Sequence, residues 1–351
     1  MNFKKMLVLT GLLIIAAVVI TACGTPGPQG PQGEPGPAGP QGEPGPAMTV
    51  ADLTCTECHN DTAIITGKKA NWEESLHGSG TAFIEEGGNN RCAFCHSGAT
   101  FSETIAVGGN FSTVESGDAD PTHQDCRTCH QIHVTYTGED WALETDAPVT
   151  MVTSGVTYDG GAGNLCANCH QARRYLAGFV AKDSAGAVIP DKYAASARFN
   201  THYSVQADVL IGAGDFGVEG KPGSHYTKVE GTCVGCHMGE GDSHSFTPQL
   251  AACQSCHDGA EDFNVNDYLT GFDAKYAELE AALLAKGLIA DNGDGTFSTV
   301  TKNADGSPVL LDPGPAQALF FYNLVHEDGS HGIHNPAYFD ALMENALAAL
   351  Q

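Results

Sequence analysis

The chain has 351 residues, enough for one to three domains, and carries 42 acidic against 16 basic side chains for a formal net charge of −26. So acidic a balance excludes nucleic-acid binding through a basic surface, because neutralising a phosphate backbone takes Lys and Arg. It points to basic partners, metal ions or mineral surfaces, or to nothing more than solubility by self-repulsion.

At the N-terminus Lys4 and Lys5 precede an apolar run from Met6 to Ile20 and then the small residues Thr21, Ala22 and Cys23. That layout predicts a secretory signal over residues 1–22. The run is close to the lower limit of a membrane span, so an uncleaved anchor is the alternative. Ile20-Thr21-Ala22-Cys23 resembles a bacterial lipobox, which implies acylation of Cys23. Gly24 rather than Asp after the cysteine implies an outer-membrane lipoprotein, exposed at the cell surface. Several acyl chains on one residue anchor stably where a single chain does not. From Gly24 glycine recurs at every third position through Gly45, giving an unbroken Gly-x-y segment up to residue 47. Only glycine fits at the axis of a collagen triple helix. The segment 23–47 therefore reads either as a trimerising collagen-like stem or as a polyproline-type spacer, which at about 3.1 Å per residue reaches on the order of 70 Å.

Chemistry enters at residue 55. The pattern C-x-x-C-H occurs six times, at Cys55-Cys58-His59, Cys92-Cys95-His96, Cys126-Cys129-His130, Cys166-Cys169-His170, Cys233-Cys236-His237 and Cys253-Cys256-His257. Two thiols in this spacing add to the two vinyl groups of one haem, and the adjacent histidine reaches the iron as proximal ligand. The motifs use twelve of the thirteen cysteines and leave Cys23 over. Paired cysteines also hold zinc, and an even set in a secreted chain also forms disulfides. Neither alternative accounts for a histidine directly after every pair. The expected cofactors are six covalent haems c. Of 15 histidines, nine remain once the six motif histidines are set aside, enough for a second imidazole on every iron.

Several segments carry a family resemblance: Cys126 to His133 (CRTCHQIH), Asn164 to Arg174 (NLCANCHQARR), His202 to Gly217, Ser224 to Met238 and Asp328 to Pro336 (DGSHGIHNP). They resemble the outer-surface multihaem c-type cytochromes of metal-reducing bacteria. The tail around GIHN is also similar to the nitrite reductase and hydroxylamine oxidoreductase superfamily. The resemblance runs from about Cys55 to the C-terminus. It implies His77, His133, His202, His225, His244 and His334 as distal ligands, with His123 in reserve. His326 and His331 crowd His334 and read as surface or tail residues.

The expected fold is mainly α with long irregular loops and little β, a multihaem cytochrome c fold organised around six stacked haems. Residues 48–260 form the hexahaem region and 261–351 a helical C-terminal region packing on it. Glycine-rich turns and an inserted loop near GAGDFG are expected between Cys169 and Cys233. Tyr268, Phe272, Tyr276, Leu279 and Leu283 fall on one face of a helix. A hairpin-like turn follows at DNGDGTFSTV, then helices at about 314–325 and 336–350, the last opened by Pro336 and delivering His334. The expected function is electron carriage at the cell surface toward extracellular metal or mineral acceptors, with other electron-transfer proteins as partners and a homotrimer or filament as a possible assembly. The enzymatic alternative is a reductase of nitrite, hydroxylamine or a sulfur oxyanion. No CxxCK motif occurs to serve it.

Overall fold

The computed structural model describes residues 63–351 other than 215, 240 and 241, all within one compact unit, 49–351. The leader, Cys23, the Gly-x-y segment and the first motif at Cys55–His59 lie outside the described residues.

The first two-thirds of the described chain is a string of short helices: α1 (Ala63–Glu74), α2 (Leu76–Ser79), α3 (Ala82–Glu86), α4 (Ala93–His96), α5 (Gly98–Ala106), α6 (Cys126–Cys129), α7 (Gly163–Ala167), α8 (Gln206–Ile211), α9 (Ser224–Lys228), α10 (Cys233–His237) and α11 (Leu250–Gln254). Helices of one or two turns do not persist on their own in water, so local devices hold them. α6 shows one: the Asp125 carboxylate accepts from Arg127 N and Thr128 N, while Thr128 Oγ1 accepts from Asp125 N at 3.0 Å. This reciprocal cap satisfies backbone donors that a single turn leaves open.

The last third is built differently. Helices α12 (Tyr268–Ala285), α13 (Pro313–Asp328) and α14 (Pro336–Ala349) pack around Leu279, Leu283, Leu319, Leu324, Phe339 and Met343, all fully buried. Of the expected α12 face, Phe272, Leu279 and Leu283 are buried, and Tyr268 and Tyr276 pack against the cluster part-buried. α13 ends on Gly329 in the left-handed conformation, φ 72°, which glycine adopts without a β-carbon penalty. Asn335 caps α14, and its Nδ2 also donates to Val209 O and Lys221 O, both at 2.9 Å. That side chain ties the final helix to the end of α8.

Strands are few and short, as expected. β1 (Val149–Thr150) pairs with β2 (Thr157–Tyr158); β3 (Val180–Lys182), β4 (Val188–Ala194) and β7 (Leu310–Leu311) form an antiparallel sheet; and β5 (Ile289–Asp291) pairs with β6 (Phe297–Thr299). The β5–β6 hairpin is the one expected at DNGDGTFSTV, in the register Ala290↔Ser298. The stretch between Cys169 and Cys233 does contain a loop, opened by Gly212 at φ 63°, where a β-carbon would lie 2.3 Å from Lys221 N. It also contains the β3–β4 hairpin. Asp183 Oδ1 closes that hairpin by accepting from Ala185 N and Ala187 N, both at 2.9 Å.

The short-helix part has only a small apolar cluster of its own around Met151, Tyr158 and Ala207. Together with residues from 263–273 and 328–341 it lines a cavity of about 2660 Å³. An interior normally close-packed is here hollow on the scale of several large organic groups.

Candidate functional site

The cavity is lined by residues of all five described C-x-x-C-H motifs. A helical turn places residues three and four apart on one face, so each motif presents both sulfurs and its imidazole together. The sites are neighbours: the thiols of Cys95 and Cys169 lie close enough to shift each other's ionisation, and so do those of Cys166 and Cys233.

Each of the five described motif histidines faces a second histidine from elsewhere in the chain. His96 and His202 have ring centroids 6.0 Å apart, His77 and His170 6.1 Å, and His130 and His244 6.2 Å. His237 and His334 are 6.3 Å apart, and His225 and His257 6.4 Å. Two metal–imidazole bonds of about 2.0 Å, each with about 1.1 Å from nitrogen to ring centre, put trans ligands about 6.2 Å apart, whereas a tetrahedral ion would draw the centroids in to about 5 Å. All five spacings match trans coordination across a single metal.

On six of these ten rings Nδ1 is engaged by a protein oxygen. Nδ1 of His225 lies 2.6 Å from Ile333 O, that of His130 2.7 Å from Trp141 O, that of His237 2.8 Å from Phe246 O and that of His244 3.0 Å from Asp242 O. His334 Nδ1 lies 2.8 Å from Asp328 Oδ1, and His170 Nδ1 3.3 Å from Gln206 Oε1. Donation from Nδ1 leaves Nε2 with its lone pair for a metal, the usual support for ligating histidines. Burial, followed by the neighbouring His170, pulls His77 down to about 4; burial, followed by Arg174, does the same for His202. Both imidazoles are neutral at physiological pH, as ligation requires. At His334 burial pulls down, but the bonded Asp328 carboxylate opposes it and the net shift is upward.

Five of the six histidines the family resemblance implied are thus brought opposite motif histidines: His77, His202, His225, His244 and His334. His133 stacks on Tyr136 at 5.4 Å, and the motif histidine left over, His59, lies outside the described residues. His123 packs between Phe83 at 4.1 Å and Trp72 at 6.1 Å. Both His326 and His331 are exposed, the latter with Nδ1 2.6 Å from Asp273. The sequence reading missed the supporting groups, Asp328, Gln206 and the carbonyls of Trp141, Phe246 and Ile333. No motif marks them, since a backbone carbonyl has no sequence signature.

No family model matches the chain. The polyhaem c-type cytochrome OmcB of Geobacter sulfurreducens, in two strains, is 26% identical over 316 residues, covering 73% of this chain. This chain is similar in sequence to a polyhaem c-type cytochrome. It spans only 38% of the length of those relatives. The crystal structure of the outer cell wall cytochrome OcwA superposes with a TM-score of 0.50 at 20% identity, over 81% of this chain and 50% of that one. An undecahaem cytochrome from the S-layer of Carboxydothermus ferrireducens also matches, at 19% identity and a TM-score of 0.45. The fold is the mainly helical one expected, and the likeness to the cytochrome OcwA is one of fold.

Proposed function

We propose that the chain is a hexahaem c-type cytochrome that carries electrons at the cell surface toward extracellular acceptors. The observation that carries the reading is the set of five imidazole pairs spaced for trans ligation inside one cavity. In this reading the motif cysteines hold six haems, and bound haem supplies a reversible one-electron couple. A histidine on each side of every haem would leave a substrate no coordination position. That favours a carrier over a reductase. His133 serves His59 at the first motif, which completes six pairs. Residues 48–260 carry the haems, and 261–351 pack on them and bring in His334. Cys23 anchors the chain by acylation, residues 24–47 hold it off the membrane, and the acidic surface meets basic redox partners or metal and mineral acceptors. No helix among the described residues is long and apolar enough to cross a membrane.

Peptide mapping of the mature protein tests this directly. All six C-x-x-C-H peptides are expected to carry one haem mass each, and the intact reduced protein is expected to pass electrons to soluble or mineral ferric iron while turning over nitrite and hydroxylamine negligibly. Four or fewer modified peptides, or rapid nitrite turnover, would overturn the proposal.

A further inference from the structure

The loop from Met238 to Gln249 serves more than the motif it follows. Ser243 N donates to Met238 O at 2.8 Å within it, and Gln249 N returns to Cys236 O of α10 at 3.2 Å. Within this span it carries His244, the partner of His130 at the third motif. It also carries Phe246, whose ring centroid lies 4.9 Å from that of His77, the partner of the fourth motif's His170. The same ring lies 6.1 Å from His244. The carbonyl oxygen of Phe246 accepts from Nδ1 of His237, the fifth motif's own histidine, at 2.8 Å. One residue therefore touches the ligand sets of three sites.

Its backbone marks it too. Phe246 has φ 56°, a left-handed conformation that a bulky aromatic residue rarely adopts. Such strain persists only where the surroundings over-determine it, and it concentrates at functional positions. Here the left-handed φ sets how the segment from His244 enters the residue whose ring and carbonyl address different histidines.

We propose that Phe246 is a shared positioning residue for the third, fourth and fifth haem sites, which makes the Met238–Gln249 loop a junction where three sites are coupled. The inference rests on the bis-histidine reading above and adds a topology to it. The sites are not beads on a string but meet at one point. A junction of this kind gives an electron more than one exit.

The test uses the full mature protein with Phe246→Leu, which removes the aromatic face, and Phe246→Gly, which also frees the backbone. Tyr203→Leu is the single-site control, since Tyr203 lies 6.1 Å from His202 alone among the paired histidines. Paramagnetically shifted haem-methyl resonances, assigned by deleting distal histidines singly, are expected to move for the third, fourth and fifth haems in both Phe246 variants. They are expected to move for the second haem alone in Tyr203→Leu. If a Phe246 variant instead loses haem, the unmodified peptides are expected among those at Cys126, Cys166 and Cys233. Resonances that stay fixed, or that move chiefly at the second and sixth haems, overturn the junction, as does haem loss confined to the peptides at Cys92 and Cys253. A wild-type protein lacking six low-spin haems would instead overturn the underlying reading, so the two failures are distinguishable.

Discussion

His334→Ala is expected to convert one haem of the set into a high-spin, five-coordinate centre that takes up carbon monoxide, while His326→Ala leaves the spectrum unchanged. The two residues lie eight positions apart in the same C-terminal segment, yet their surroundings differ completely. His334 faces His237 at 6.3 Å and is oriented by an Asp328 carboxylate that is itself 4% exposed. His326 is exposed, with only Tyr203 against its ring at 6.4 Å. Removing one strong-field imidazole leaves an iron with a vacant side, so about one-sixth of the haem absorbance is expected to respond to the gas. Asp328→Asn is expected to fall between the two. Loss of a carboxylate behind a ligating histidine typically weakens metal binding about 10–100-fold without abolishing it. Difference spectra of the reduced proteins under carbon monoxide check the series. A response from His326→Ala equal to that from His334→Ala would mean that the tail ligand is misassigned.

The second large effect is on folding. Cys166→Ala with Cys169→Ala removes covalent attachment at the fourth motif, whose thiols neighbour those of the second and fifth. The short-helix region has only a small apolar cluster apart from the one it shares with the C-terminal helices, and it lines much of a cavity of about 2660 Å³. One-fifth of that volume left empty, at about 24 cal/mol per Å³, costs on the order of 10 kcal/mol as an upper bound, since water will enter. That is comparable with the entire stability of an ordinary domain, about 5–15 kcal/mol. The double variant is therefore expected to yield little folded protein and to lose protease resistance across residues 63–260. Limited proteolysis with mass readout checks this. A stable pentahaem protein that resists digestion as wild type does would show that the polypeptide, not its bound groups, fills the structural role of a core.

What the sequence made legible was chemistry more than geometry. Each C-x-x-C-H motif announces its own thiols and imidazole because the spacing is local, and the α12 face and the β5–β6 hairpin were readable for the same reason. Pairing was not readable. His77, before all but the first motif, meets the fourth motif; His202 returns to the second and His244 to the third; His225 pairs forward to the sixth and His334 back to the fifth. Nothing in a periodicity or a propensity records such crossings, which are decided by how the motif helices surround the cavity. The β3–β4 hairpin was hidden for a different reason. Its strands are largely exposed, and Pro190 with Asp191 at φ 52° interrupts the alternation that would have signalled it. Phe246 carried no signal at all, since a lone aromatic residue in a polar loop looks the same whether it touches solvent or three ligand sets.

The account stands or falls on two imidazoles per iron, and low-temperature electron paramagnetic resonance of the oxidised wild-type protein measures that most directly. When the two imidazole planes are nearly parallel, their π donation splits the iron orbitals and gives a rhombic low-spin signal. Steeply crossed planes leave those orbitals nearly degenerate and give a broad signal dominated by one large g-value. The planes cross at 74° for His77 and His170 and at 78° for His225 and His257, but at 30° for His130 and His244 and 35° for His237 and His334. The predicted result is a spectrum entirely low-spin, with both signal types present and the large-g type integrating to at least two haems. A high-spin signal integrating to one haem or more would contradict the account.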